Sequence, residues 1–323
     1  MNSRRIALKA MVAGVAGMAI GSPTFAHDQN EELKKLRSLM PVNSCDCHSH
    51  IVGPYDKYPM VESRAYTPPM ASVSELRKLH KELGIDRSVL IQPSFYGTDN
   101  RCLLDALREL GPSSRGVAVV APDATEAELD NLKKSGIVGI RINQPSGPRD
   151  SNGLSALIDR AGRQAAELGW HVQVFLPMRV IGSLAPTIER SPAPFVLDHY
   201  AGAKAEGTTQ DGFDAVLGLL KSGKAYAKLS APYHEAHGPI YAGMAELALE
   251  FINANPERVL WGSDWPHTPW IRNPADSKLT VTPFFHVDNA ELLERFLELV
   301  PEQSVKEKIL VHNPETLFHF AFA

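Results

Sequence analysis

The segment that decides the fold is Ser44-Cys45-Asp46-Cys47-His48-Ser49-His50, followed by Ile51-Val52 and the turn signal Gly53-Pro54. Its apolar flank and turn residues predict a short strand that ends near His50. Side chains alternate between the two faces of a strand, so we expect both histidines to share a face with Asp46, opposite the two cysteines. Two imidazoles that converge on one point predict a metal site or a site that handles protons.

From this segment onward, short apolar runs alternate with amphipathic stretches of helical period. Glycines follow several of these stretches at predicted helix ends, as Gly84 follows Ser72–Leu83. Eight strands, each followed by a helix over about 280 residues, predict the α/β class and a (β/α)8 TIM-type barrel. The predicted strands are Cys45–Val52, Ser88–Gln92, Gly116–Val120, Gly139–Asn143, His171–Leu176, Phe195–His199, Tyr226–Ser230 and Arg258–Ser263.

Composition limits the classes of function. The chain has 323 residues, 44% of them hydrophobic, and a formal net charge of -4. This is enough apolar material for a large core, and the absence of a long basic run argues against a nucleic-acid partner. The three cysteines cannot form a disulfide framework and are predicted to be free thiols. No pattern indicates the oligomeric state.

The N-terminus predicts an export signal. Arg4-Arg5 precedes a short apolar run, and small residues lie before a cleavage point after Ala26. Residues 1–26 therefore resemble a twin-arginine signal peptide that directs the protein to the periplasm, because the apolar run is too short to span a bilayer. The alternative is an uncleaved tail on a cytoplasmic protein. Residues 27–40 are predicted to form a linker or leading helix, and residues 41–323 the single barrel domain.

Polar residues lie at the predicted C-terminal ends of the strands, where TIM-type barrels carry their chemistry. Packing does not explain why the tips of otherwise apolar strands are polar at one end of the barrel. We therefore predict an active site there. The residues concerned are His48, His50, Arg141, Asp198, His199, Ser230, His234 and Asp264.

An ordered set of motifs makes the prediction more specific. Taken together, they resemble the amidohydrolase superfamily, within it the lactone-hydrolysing branch that contains 2-pyrone-4,6-dicarboxylate hydrolase and the sulfomuconolactone hydrolases. The resemblance extends from about residue 41 to the end and implies a barrel enzyme of aromatic-compound degradation that opens a small anionic lactone with water. The motifs are D-C-H-S-H (46–50), S-V-L-I-Q-P-S-F-Y-G (88–97), G-I-R-I-N (139–143), L-D-H-Y-A-G (197–202), K-L-S-A-P-Y (228–233), W-G-S-D-W-P-H (261–267) and N-P-E-T-L-F (313–318).

The resemblance also implies catalytic roles. Asp264 would be the general base toward the attacking water. His48, His50 and His199 would polarise the lactone carbonyl, or hold a metal that does so. Ester hydrolysis needs both a deprotonated water and stabilisation of the developing oxyanion.

Substrate anchoring is implied for Tyr66, Ser94 and Arg141, because anionic ring substituents need hydroxyl donors and a guanidinium group. His234 lies where we expect a carboxylate-binding arginine, which leaves room for a sulfonate in place of one carboxylate. Arg149 either supplies a second positive charge or is a solvated loop residue.

The metal content has two alternatives. Arg141 and either Gln173 or Phe175 occupy the places where many superfamily members carry a bridging lysine or glutamate and a further histidine, so a two-metal site is not expected. His48, His50, His199 and Asp264 suit one tetrahedral zinc ion, but four protein ligands would leave no open position for water. One zinc and no metal both stay open, and no organic cofactor is expected.

Two other functions are considered. One is a metal-dependent decarboxylase of a hydroxybenzoate-like acid, since related barrels use a similar set of residues. The other is a periplasmic binding protein without turnover. Asp264 argues against this second alternative, because a carboxylate beside an anionic ligand weakens binding and is useful only as a base.

Overall fold

The computed structural model describes residues 23–143, 151–235, 243–269 and 277–320. Eight parallel strands pair in chain order in one sheet. The segment after the last strand closes the sheet onto the first, because the Asp264 backbone N–H donates to the His48 carbonyl at 2.8 Å. The strands are β1 Cys45–Ser49, β2 Arg87–Ile91, β3 Ser114–Ala118, β4 Ile137–Asn143, β5 His171–Phe175, β6 Phe195–Leu197, β7 Ala225–Leu229 and β8 Val259–Trp261.

Helices alternate with the strands and surround them. The predicted (β/α)8 barrel is thus confirmed, and each predicted strand overlaps an observed one. The helices are α1 Pro23–Ser38, α2 Val73–Leu83, α3 Arg101–Leu110, α4 Glu126–Lys134, α5 Ser151–Leu168, α6 Met178–Arg190, the one-turn segment α7 Asp198–Ala201, α8 Phe213–Lys221, α9 Met244–Ala254, α10 Asn289–Leu299, α11 Gln303–Glu307 and α12 Asn313–Phe318.

Local sequence signals explain where helices begin and end. Ser72 caps α2 through a reciprocal capping box with Glu75, and the helix ends at Gly84 in the left-handed conformation (φ 74°). Thr125 and Glu128 form the same box at the start of α4. These caps fix the helix ends and therefore the loops that lead back into the barrel.

The apolar core has two parts. The larger part lies between the strands and the surrounding helices. The smaller one combines inward side chains such as Cys47, Val89 and Leu260 with Leu317 and Phe318 of α12. Because α12 fills this smaller core, the barrel interior is packed at one end and leaves its polar residues at the other.

Strand β1 contains an irregularity that changes the predicted facing of its residues. The register against β2 shifts between Asp46 and Ser49. Asp46 turns out of the barrel, where it accepts hydrogen bonds from Ser263 Oγ at 2.6 Å and binds His80 Nε2 at 3.1 Å. The prediction that Asp46 shares a face with both histidines was therefore wrong. The extra residue of the bulge breaks the simple alternation of side chains.

The structure describes only part of the N-terminal segment for which predictions were made. Residues 1–22 lie outside the described residues, and so does most of the predicted signal peptide. Helix α1 (Pro23–Ser38) begins within the last residues of the predicted signal peptide and overlaps residues 27–38 of the predicted linker or leading helix. None of the helices in the described ranges is long and apolar enough to cross a membrane.

Candidate active site

The C-terminal ends of the strands surround a cavity of about 40 Å³. Most of the predicted site residues line it. Arg149 lies outside the described residues, and His48 lies directly below the cavity, where it is completely buried. The predicted residues that line the cavity are His50, Tyr66, Ser94, Arg141, His199, His234 and Asp264.

Asp264 lies at the centre of the predicted catalytic group. Its Oδ1 atom is 3.5 Å from His48 Nε2, 3.7 Å from His50 Nε2 and 4.0 Å from His199 Nε2. Gly262 makes this approach possible, since a Cβ atom at that position would lie 2.7 Å from His48 Cβ. One carboxylate oxygen thus faces three imidazole nitrogens.

The orientation of two imidazoles follows from their other nitrogen. His50 Nδ1 lies 2.7 Å from the Ile91 carbonyl, which can only accept a hydrogen bond. In the neutral ring the hydrogen is therefore on Nδ1, and His50 Nε2 presents a lone pair to the site. His199 Nδ1 pairs with the Ser230 hydroxyl at 2.9 Å, and this hydroxyl can donate or accept.

The second oxygen of Asp264 is held by residues that the sequence analysis did not select. Tyr233 donates from its hydroxyl to Asp264 Oδ2 at 2.7 Å, and His267 Nδ1 lies 3.0 Å from the same hydroxyl. His267 Nε2 contacts Asn289 Oδ1 at 3.1 Å at the start of α10. This chain fixes the carboxylate so that Oδ1 faces the histidines.

Burial and charge set the protonation of the site. Burial opposes ionisation of Asp264, yet the neighbouring imidazoles, His199 foremost, hold its pKa well below the usual range. Burial lowers the pKa of His48 and His199, and lowers that of His234 to about 4. At neutral pH the site therefore combines an ionised Asp264 with uncharged His48, His199 and His234.

Non-glycine residues adopt left-handed backbone where the last strands end. His199 has φ 49°, Ala231 φ 51°, Asp264 φ 61° and His267 φ 69°. Each such residue costs about 1–3 kcal/mol and persists only where surrounding contacts hold it. The concentration of these residues at the rim of the cavity is typical of a functional site.

A charged layer lies below the cavity. Lys228 of β7 is fully buried, and its Nζ atom donates to Gln173 Oε1 at 2.8 Å. The same atom is 3.4 Å from Asp198 Oδ1 and 3.4 Å from His48 Nδ1. Gln173 Nε2 donates to Asp198 Oδ2 at 3.0 Å. Burial opposes ionisation of Asp198 as well, but Lys228 keeps the pKa of this carboxyl well below its usual range.

Arg141, which was predicted to bind the substrate anion, already contacts other groups of the protein. Arg141 donates from Nη1 to the Gln92 carbonyl at 2.7 Å, and its Nη2 is 3.5 Å from Asp198 Oδ2. Its Nε atom is buried without a hydrogen-bond partner in the described part of the chain. His234 is uncharged at neutral pH, so it can serve an anion there only as a neutral hydrogen-bond donor.

Some of the predicted ligands lie close enough together to share a metal ion. Oxygen Oδ1 of Asp264 lies 3.5–4.0 Å from Nε2 of His48, His50 and His199. His48, His50 and Asp264 form one group of closely spaced ligand atoms, and His48, Asp198 and His199 form another. The described residues therefore include a His/Asp cluster that could hold a metal.

A TIM-type barrel with histidines after the first and sixth strands and an aspartate after the eighth defines an amidohydrolase-type enzyme. Residues 45–320 match the amidohydrolase family model, and the chain belongs to this family. The match covers the barrel from β1 through α12, so the described fold and the family domain coincide.

Individual relatives narrow the comparison. The chain is 32% identical to 4-sulfomuconolactone hydrolase of Hydrogenophaga intermedia, with 88% of this chain and 92% of that protein covered. It is 30% identical to 2-pyrone-4,6-dicarboxylate hydrolase of Comamonas testosteroni, with the same coverage. A solved structure of a probable 2-pyrone-4,6-dicarboxylic acid hydrolase from Acinetobacter baumannii, with citric acid bound, superposes with a TM-score of 0.73 at 26% identity, covering 86% of this chain and 100% of that one.

Sequence reasoning missed several residues of the site. Lys228 had a visible signal, since a lysine occurs in an otherwise apolar strand within the motif K-L-S. Gln173 and Asp198 were noticed, but their contact with that lysine could not be foreseen. Tyr233 and His267 lie in motifs that were recognised, yet nothing in the sequence shows that they meet at Asp264.

Proposed function

We propose that the protein is a lactonase that hydrolyses the ring ester of a small anionic lactone. The observation that carries the proposal is the position of Asp264, an ionised carboxylate whose Oδ1 faces three imidazoles at the cavity floor. Family membership and relatives named as lactone hydrolases support the same reaction class.

The first step is activation of water. Asp264 Oδ1 and His50 Nε2 are both hydrogen-bond acceptors and lie 3.7 Å apart, so a water between them would donate one hydrogen to each. Asp264 takes the proton as the water oxygen bonds to the lactone carbonyl carbon. Tyr233 holds Oδ2, so the carboxylate cannot turn its basic oxygen away.

Collapse of the tetrahedral intermediate breaks the ring C–O bond. The carbonyl oxygen gains negative charge before this step and needs a donor in the buried cavity. The proton on Asp264 then passes to the leaving ring oxygen. The product is the open-chain acid, which ionises and releases a proton to the solvent.

A metal is a second way to stabilise the oxyanion. His48, His50 and Asp264 would hold a zinc ion, with His199 as the fourth candidate ligand. Such an ion would act as a Lewis acid on the carbonyl oxygen. Four protein ligands would close the coordination shell, so this arrangement requires one of them to stand off.

The side chains of the cavity wall support an anionic substrate. Arg141, Tyr66 and Ser94 provide a guanidinium group and hydroxyl groups on one side. The buried Nε atom of Arg141 is a donor that an anionic ring substituent would satisfy. We propose 4-sulfomuconolactone or 2-pyrone-4,6-dicarboxylate as the substrate, and the neutral His234 favours the ligand with fewer carboxylates.

The test is hydrolysis of both lactones by purified protein, followed by loss of ring absorbance and by proton release, before and after prolonged chelation. We expect ring opening of at least one lactone. Asp264→Asn should lower kcat by about 10²–10⁴-fold while substrate binding persists, because the amide fills the same space but takes no proton. Preparations should be assayed for zinc in parallel.

Three outcomes would contradict the proposal. If neither lactone is opened, the protein is not a lactonase of this class. Release of carbon dioxide from hydroxybenzoate-like acids would support the decarboxylase, whose related barrels use similar residues. Ligand binding without turnover, unaffected by Asp264→Asn, would support the binding protein.

A further inference from the structure

A buried lysine lies under the candidate active site and touches one of its histidines. Lys228 has no exposed surface, and a buried ammonium group is costly unless each of its hydrogens finds an acceptor. In the described part of the chain, the ammonium group of Lys228 contacts Gln173 Oε1 at 2.8 Å and His48 Nδ1 at 3.4 Å. It also forms an ion pair with Asp198 Oδ1 at 3.4 Å. Three hydrogens thus face three acceptors.

His48 Nδ1 has two neighbours with opposite requirements. Lys228 can only donate to it, whereas Asp198 Oδ1, also at 3.4 Å, can only accept from it. A hydrogen on Nδ1 would face the ammonium group and leave one lysine hydrogen buried without an acceptor. Gln173 and Arg141 approach Oδ2 of Asp198, while the charge of Lys228 compensates Oδ1, which has no hydrogen bond within the described part of the chain.

The surroundings of His48 Nε2 also favour the tautomer with its hydrogen on Nε2. His48 Nε2 lies 3.5 Å from Asp264 Oδ1. A hydrogen on Nε2 points an N–H dipole at this carboxylate. A lone pair on Nε2 would face a lone pair on Oδ1, and that arrangement is favourable only with a cation or a donating water between the two atoms.

We propose that Lys228 is a positioning residue that fixes His48 with its hydrogen on Nε2. In this tautomer His48 is a hydrogen-bond donor to the cavity and is not a metal ligand. This role rests on the proposed lactonase function. In that reaction His48 donates the hydrogen bond to the lactone carbonyl oxygen, because His50 Nε2 is an acceptor and cannot donate it. Zinc binding at His48 requires the other tautomer and is opposed by Lys228.

The first test is the tautomer itself. Nitrogen–proton correlation spectra of protein with ¹⁵N-labelled histidine, with His48 assigned by its loss in His48→Gln, report which ring nitrogen carries hydrogen. We expect the Nε2–H pattern for wild-type His48 and the Nδ1–H pattern in Lys228→Met. A wild-type Nδ1–H pattern overturns the proposal. The wild-type spectrum requires no substrate, and it tests the proposal even if Lys228→Met does not fold.

The second test is zinc affinity, measured by competition with a chromophoric chelator. Lys228→Met should bind zinc at least about tenfold more tightly than wild type, because His48 is then free to donate Nδ1–H to Asp198 and offer Nε2 to the ion. Lys228→Gln retains donor hydrogens and should stay close to wild type. Lys224→Met is the matched control, since Lys224 binds the Ser191 carbonyl outside the site.

Equal or weaker zinc binding by Lys228→Met would refute the role of Lys228. Turnover is the third test. In Lys228→Met, kcat should fall by about 10²-fold with little change in KM, as expected for loss of one oxyanion donor. The tautomer and zinc results do not involve a lactone. If they hold while no lactone is opened, the proposed function fails and the role of Lys228 stands.

Discussion

His171 links the stability of the barrel to pH. Its ring is buried at the start of β5, edge-on to Phe318 with centroids 5.3 Å apart. Burial, with a further contribution from the charge of Lys228, lowers the pKa of His171 to about 3. In an unfolded chain a histidine titrates near a pKa of about 6.5.

The sign of the effect follows from these two values. Because the folded pKa lies below the unfolded one, the unfolded chain takes up the proton first as the pH falls. The stability that depends on a neutral His171 is complete above about pH 6.5 and is lost as the pH falls toward 3. Each pH unit in this window costs about 1.4 kcal/mol, so the step from pH 7 to pH 5 costs about 2 kcal/mol.

The assay compares the free energy of unfolding of wild type and His171→Met in urea at pH 7 and pH 5. Methionine has a similar volume and no titration, so wild type should lose about 2 kcal/mol more than the variant over this step. Other buried histidines contribute equally to both proteins. The exposed His286 gives the control, since His286→Met should change nothing. Equal losses in wild type and His171→Met would refute the reasoning.

Three further predictions concern single side chains. Arg141→Met should raise KM at least about tenfold and lower kcat less, because a charged hydrogen bond to the ring anion is lost; an unchanged KM would place the anion elsewhere. Glu315→Gln should cost about 3 kcal/mol in urea unfolding, since it leaves the buried Arg87 guanidinium, now 2.9 Å from Glu315, without its charge partner; a loss below 1 kcal/mol would contradict this. Burial raises the pKa of Tyr66 to about 12, so wild type should lose about 2 kcal/mol more than Tyr66→Phe between pH 10 and 12; parallel losses would argue against it.

Much of the fold was predictable because its signals are local. Apolar runs, capping residues and glycines at helix ends each depend on a few neighbouring residues, as at Ser72 and Gly84. The eight strands followed from such signals, although their bounds moved by a few residues. The rule that barrel chemistry lies at the C-terminal strand ends then selected Asp264 and His199, which are 65 positions apart in the chain, and the structure brings them to one cavity.

The facing of β1 shows where local signals fail. Alternation predicts that Asp46 and His48 share a face, but the bulge between Asp46 and Ser49 moves them apart. A bulge depends on how two strands pair, and Asp46 is held outward by Ser263 and His80. Neither partner lies in the same strand, so the pattern of β1 alone could not reveal it.

The sequence by itself determined the barrel, the end of the barrel that carries the polar residues, and the family to which the chain belongs. Tertiary structure alone decided which groups touch: Tyr233 on Asp264, and Lys228 between Gln173, Asp198 and His48. The physical reason is range. Secondary structure follows from interactions among near neighbours in the chain, whereas protonation, tautomer and ligand geometry depend on distances of 3–4 Å between residues that only the closed barrel brings together.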